Sequence, residues 1–118
     1  MTTIYGIPNC DTMKKARAWL ADAGVAVDFH DDRKQGVDAA LLTGWADKLG
    51  WERLLNRSGT TFRKLPDAVK AGLDRGKALA LMAANPSVIR RPVLDTGKVL
   101  LVGFDVQAYS AHMQQGEN

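Results

Sequence analysis

The chain has 118 residues, 46% hydrophobic and 25% charged, with 16 Lys and Arg against 13 Asp and Glu for a formal net charge of +3. That balance excludes disordered and fibrous classes, and a chain of this length is expected to fold as one domain. No apolar run approaches the roughly 18 residues of a bilayer-spanning helix, and Met1-Thr2-Thr3-Ile4-Tyr5-Gly6 lacks the basic and apolar regions of a secretory leader. A cytoplasmic protein with no membrane partner is expected.

Thr2 to Tyr5 is a short β-branched and aromatic run stopped by Gly6 and Pro8, and reads as a first strand. Asp11 to Ala23 sets Met13, Ala16, Leu20 and Ala23 on one helical face, with Gly24 as the stop. Val25 to His30 reads as a second strand. The three make a βαβ unit, whose strands run parallel. The middle of the chain is helical in character. Asp38 to Leu49 places Leu41, Trp45 and Leu49 four apart, and Trp51 to Leu55 can add a turn. Asn56 to Thr61 is a polar loop, Asp67 to Leu73 and Lys77 to Ala84 are short helices, and Asn85-Pro86 is a turn. Val93-Leu94-Asp95 and Lys98 to Val102, joined through Thr96-Gly97, form a β-hairpin. Asp105 can cap a last helix to about Gln114, with Val106, Tyr109 and Met113 on one face.

The order is β-α-β, a helical block, then β-β-α. This is an α/β, thioredoxin-like fold with a central helical insertion. The expected division of the single domain 1–118 is a core of about 1–34 and 87–114 around an insertion of about 35–86.

The chain carries one cysteine, which rules out an internal disulfide and agrees with a reducing compartment. A lone cysteine is more often an inert buried residue than a nucleophile, so its surroundings must decide. Cys10 sits where the first strand hands over to the first helix, beyond the carboxyl end of a parallel strand. A helix N-terminus supplies unpaired N–H groups and partial positive charge, and both favour a thiolate. Lys14, one turn on, is expected to add cationic field, and Asp11 to oppose it. Arg91-Pro92, just before the hairpin, fits the cis-proline that opens the third strand of such folds and faces the active cysteine; Arg91 would then project near Cys10. Basic residues gather at Lys14, Lys15 and Arg17, at Arg57, Arg63 and Lys64, and at Arg90 and Arg91. Any one cluster reads as a solvated face, but convergence of all three would make an anion site.

Three segments, Asn9-Cys10-Asp11-Thr12 with Lys14-Lys15-Ala16, Leu55 to Leu65, and Arg90-Arg91-Pro92-Val93, together resemble the arsenate reductase (ArsC) family. They are most similar to its YffB-like branch, with Spx regulators as cousins, and the similarity runs from Thr2 to about Met113. The resemblance implies a thioredoxin-like core with a helical insertion. It implies Cys10 as the nucleophile that attacks arsenate in true arsenate reductases, and Arg91 as the oxyanion-binding arginine before the cis-proline Pro92. Arg57 lies one position from another of the family's arginines, where Asn56 stands here. The third has no match, because Val102-Gly103-Phe104 occupies its region. Arsenate is therefore not expected as the main substrate.

Met13 stands where a C-x-x-C pair would place its second cysteine, so a mixed disulfide on Cys10 needs an outside thiol. The expected activity is a glutathione-dependent monothiol reductase, with Cys10 catalytic and Arg91, Arg57, Arg63, Lys64, Asn9 and Lys14 binding an oxidised or oxyanion substrate. Glutathione is a co-substrate rather than a bound cofactor, and glutaredoxin is an alternative donor. Two alternatives stand beside it: an arsenate reductase proper, and a non-enzymatic Spx-like regulator that contacts RNA polymerase. No metal site is expected, since His30, His112 and Cys10 show no ligand spacing. Nucleic acid is not an expected partner, because like-charge blocks are absent and Trp19, Trp45 and Trp51 fit core packing.

Overall fold

The computed structural model describes residues 2–116, with side chains to residue 113. Its two compact units are the chain to Asp31 with the chain from Arg91 onward, and Asp32–Arg90 between them.

The first unit carries a four-stranded sheet. Strand β1 (Thr3–Gly6) leads to helix α1 (Asp11–Asp22) and then to β2 (Asp28–Asp31), which lies parallel to β1 with Ile4 opposite Phe29. Helix α1 buries Met13, Ala16 and Leu20, the stripe its spacing dictates. Its end is a Schellman closure. Gly24 takes φ 75°, its N–H bonds to the Ala21 carbonyl at 3.1 Å, and the Val25 N–H bonds to the Leu20 carbonyl at 2.9 Å. That closure explains why β2 begins at Asp28 rather than at Val25: the Val25 N–H is spent on the helix, and pairing starts where the Asp28 N–H reaches the Thr2 carbonyl at 2.9 Å.

Strand β3 (Val93–Asp95) pairs antiparallel with β1, and β4 (Leu100–Val102) antiparallel with β3, giving the order β2-β1-β3-β4. The turn is built by side chains. The Asp95 carboxylate accepts from the Gly97 N–H at 2.9 Å, and the Thr96 hydroxyl accepts from the N–H groups of Lys98 and Val99 at 3.2 and 3.0 Å. Those two donors are thereby taken from the ladder, so β4 opens at Leu100 and not at Lys98.

The last helix of this unit, here α8 (Val106–Gly116), starts beyond Asp105, whose carboxylate accepts from the Gln107 N–H at 3.1 Å. Tyr109 and Met113 are buried, but Val106 is 50% exposed and leaves the expected apolar face. A first-turn side chain points back over the helix end, past the surface its later neighbours cover. The core joins Ile4, Met13, Ala16, Leu20, Leu94, Tyr109 and Met113, with Trp19, Phe29, Leu101 and Phe104 packed against it. Trp19 and Phe104 meet the Tyr109 ring edge-on at 5.6 and 4.9 Å. Each fully buried large apolar side chain contributes roughly 1.5–3 kcal/mol.

The second unit is helical: α2 (Asp32–Gln35), α3 (Ala39–Leu49), α4 (Trp51–Leu54), α5 (Thr60–Arg63), α6 (Asp67–Lys70), α7 (Arg75–Ala84) and a 3₁₀ turn, Pro86–Val88. Asp38 caps α3 through the Leu41 N–H, and Asp74 caps α7 through the Lys77 N–H, each at 2.8 Å. The Asp74 cap moves the start of α7 to Arg75, ahead of the expected Lys77. Helix α3 buries Leu42, Trp45 and Ala46, whereas Leu41 and Leu49 are only half-buried. The choice between two stripes one residue apart is made by what the helix packs on. Helix α6 stops at Lys70, short of Leu73, because Ala71 is extended and Gly72 takes φ 67°. Helices α2 and α5, too short for a periodic pattern, were not expected, and α5 takes Thr60 and Thr61 out of the expected loop. An isolated bridge pairs Leu55 with Ile89, flanked by Arg90 N–H to the Leu54 carbonyl at 2.7 Å and Asn56 N–H to the Val88 carbonyl at 2.8 Å.

Candidate functional site

Cys10 is the N-cap of α1, with extended backbone (φ −140°, ψ 127°), and its carbonyl accepts the Lys14 N–H at 3.0 Å to close the first helical turn. The chain reaches it from β1 through buried Ile7 and exposed Pro8 and Asn9, and the Cys10 side chain is half-buried. Pro8 cannot continue the ladder and the N-cap must be extended, so the sequence itself sets the thiol at this corner.

The antiparallel register pairs Tyr5 with Val93, so Arg91 and Pro92, which precede Val93, lie beside the carboxyl end of β1. The Arg91–Pro92 peptide is cis, Pro92 is buried, and Arg91 is half-buried. Arg91 is placed to favour the Cys10 thiolate, both as a hydrogen-bond donor and as a positive charge.

Partial burial pushes the Cys10 thiol up, but the Met13 N–H, the Arg91 guanidinium and the Thr12 N–H oppose it, and the net effect lowers its pKa. The thiol makes no side-chain capping hydrogen bond; the first-turn amides favour the charge of the thiolate. The cation that acts on the sulfur is Arg91, not Lys14. Lys14 and Asn9 are both exposed.

The fold therefore brings together Cys10, Arg91 and Pro92, with the amides of Thr12 and Met13. Arg57, Arg63 and Lys64 belong to the helical unit and are exposed. There the Arg57 guanidinium lies 5.8 Å from the centre of the Trp51 ring, and the Arg63 carbonyl accepts from the Lys70 ammonium at 3.1 Å. The specific amides of Thr12 and Met13 are the participants no side-chain motif announces; the N-cap position of Cys10 was their only signal. His30 stacks at 4.8 Å, tilted, against Tyr5, and among the described residues no cluster of three or more His, Cys, Asp or Glu could hold a metal ion.

The ArsC family model matches residues 5–112. A solved structure described as YFFB (PA3664) protein is 54% identical, with a TM-score of 0.91, covering 94% of this chain and 97% of that one. An arsenate reductase (ArsC) related protein from Brucella melitensis is 51% identical, with a TM-score of 0.75, covering 96% of this chain and 94% of that one. A more distant relative is the global transcriptional regulator Spx of Streptococcus agalactiae serotype V, 28% identical across 89% of this chain and 77% of its own length. With a helix-capping cysteine beside an arginine that precedes a cis-proline, on a β-α-β…β-β-α core matched over nearly its full length, the chain belongs to the ArsC family.

Proposed function

We propose that this protein is a monothiol reductase in which Cys10 is the nucleophile and an external thiol, glutathione in the first place, completes the cycle. The observation that carries the reading is the half-buried Cys10 at the N-cap of α1, where first-turn amides are unpaired, with Arg91 and the cis Pro92 beside it at the end of β1. Cys10 thiolate attacks the sulfur of an oxidised substrate, such as a glutathione mixed disulfide. The substrate's own thiolate leaves and takes a proton, and Cys10 carries the glutathionyl group. A reduced glutathione thiolate then attacks that bond, releasing glutathione disulfide and restoring the Cys10 thiolate; each mixed disulfide consumes one reduced glutathione, whose thiol proton ends on the substrate thiol. Met13 in place of a second cysteine is the reason the resolving thiol must come from outside, from glutathione or a glutaredoxin. Arg91 would pair with a glutathione carboxylate or an oxyanion, with Asn9 and Lys14 of the same unit as further candidates for that recognition. The need for reduced glutathione suits the cytoplasm.

Incubation with glutathione disulfide, followed by mass spectrometry, tests the reading: a glutathione adduct on Cys10, released by added glutathione, is expected. Absence of an adduct, or thiol transfer retained by Cys10→Ser, overturns it. Arsenate would be reduced on the same thiolate, and arsenate-dependent glutathione oxidation measures that activity directly. The Spx similarity favours a second reading, a regulator that binds RNA polymerase. With Met13 excluding a C-x-x-C switch, it predicts polymerase subunits in a pull-down that is indifferent to Cys10→Ser.

A further inference from the structure

Gly6 ends β1 and is buried. A Cβ placed on it would lie 2.8 Å from the Met13 Cε and 3.3 Å from its Cγ, and closer still to Sδ. The Met13 thioether therefore occupies the space that any other residue at position 6 would fill with its own side chain. Met13 is fully buried, and as the third residue of α1 its N–H is one of the first-turn amides left unpaired within the helix at the Cys10 N-cap. One residue thus links both features: its side chain is clamped on the strand and its amide lies in the first turn at the N-cap.

We propose that Gly6 and Met13 form a positioning pair, in which the bare glycine seats the Met13 side chain against β1 and so fixes the first turn of α1, with its unpaired amides, at the Cys10 N-cap. The pair acts through backbone placement and touches no substrate. A thioether suits the task because it is slender and adapts to a notch cut by a missing Cβ. An ammonium on a flexible stem could follow the sulfur if the turn shifted, but amides cannot; they move only as the helix moves. The proposal rests on the reading of Cys10 as a reactive thiolate, and its test is chosen so that the two can fail separately.

The measurement is the rate of Cys10 alkylation by iodoacetamide against pH, which reads the thiolate directly and needs no substrate. In the parent protein a midpoint at the ordinary thiol value would end the thiolate reading itself. Given a lowered midpoint, Gly6→Ala is expected to raise it and to slow alkylation at pH 7 several-fold. Gly6→Ala/Met13→Ala, which makes room for the new methyl, should recover part of that loss. Unchanged midpoints in a Gly6→Ala protein that keeps its far-ultraviolet circular dichroism overturn the proposal. If Gly6→Ala does not fold, Met13→Ala and Met13→Leu decide: the alanine should raise the midpoint and the volume-conserving leucine should hold it, and equal midpoints overturn the pair.

Discussion

At Cys10 the electrostatics are a contest between burial, which favours the neutral thiol, and two amides and a guanidinium, which favour the thiolate. The donors prevail, and each is a separate lever. Arg91→Ala removes both a charge and a hydrogen-bond donor, so the alkylation midpoint of Cys10 should rise and its rate at pH 7 fall by roughly three- to ten-fold, the effect of about half to one pH unit. Lys14→Ala should leave that midpoint nearly unchanged, because Arg91 is the cation that acts on the sulfur. The sequence placed Lys14 one turn from the thiol, but adjacency along a helix says nothing of where a long exposed side chain spends its time. Tyr109 offers another test at this scale. Its hydroxyl is buried with no protein hydrogen-bond partner among the described residues, and burial holds its pKa well above the usual phenol value. Removing a buried unpaired polar group is neutral or favourable, so Tyr109→Phe should keep or raise stability, by up to about 1 kcal/mol in urea unfolding.

At the scale of elements, caps and turns account for most boundaries. Asp38 and Asp74 each satisfy an N–H that the helix cannot pair internally. Asp38→Ala should cost about 1 kcal/mol by urea denaturation, and Asp38→Asn much less. The starts of β2 and β4, which the sequence placed too early, share one cause. Val25, Lys98 and Val99 have the composition of strand residues, but their N–H groups are already committed to a helix closure or to the Thr96 hydroxyl. Propensity describes what a side chain suits, whereas a ladder needs a free donor. The inward stripe of α3 moved by one residue for a different reason: Leu41 and Leu42 are equally apolar, and only the neighbouring surface selects between them.

For the whole molecule, two consequences can be measured. Leu94 is fully buried in the cluster shared by β1, β3, α1 and α8, so Leu94→Ala should destabilise by about 2–5 kcal/mol. The thiol also ties stability to pH. Its folded pKa lies below the unfolded one, so the unfolded chain holds the proton more tightly in the interval between them. Compared with Cys10→Ser, the parent protein should gain stability as pH rises through that interval, hold it above the unfolded thiol pKa, and lose it as pH falls through the folded value. A stability difference that is flat with pH would contradict a lowered thiol.

The sequence by itself determined the order of the strands and of the longer helices, the Asp105 cap, and the position of a lone cysteine at the start of α1, because these depend on neighbours along the chain. It also indicated Arg91-Pro92 as the segment to face that cysteine, through resemblance. Tertiary structure alone decided that Arg91 is the cation at the sulfur and that the Met13 thioether fills the space left by Gly6. Both follow from pairing β3 alongside β1 and packing α1 upon it, contacts between distant segments that no local periodicity encodes. Cys10 is placed by local chemistry, and the sheet brings Arg91 beside it.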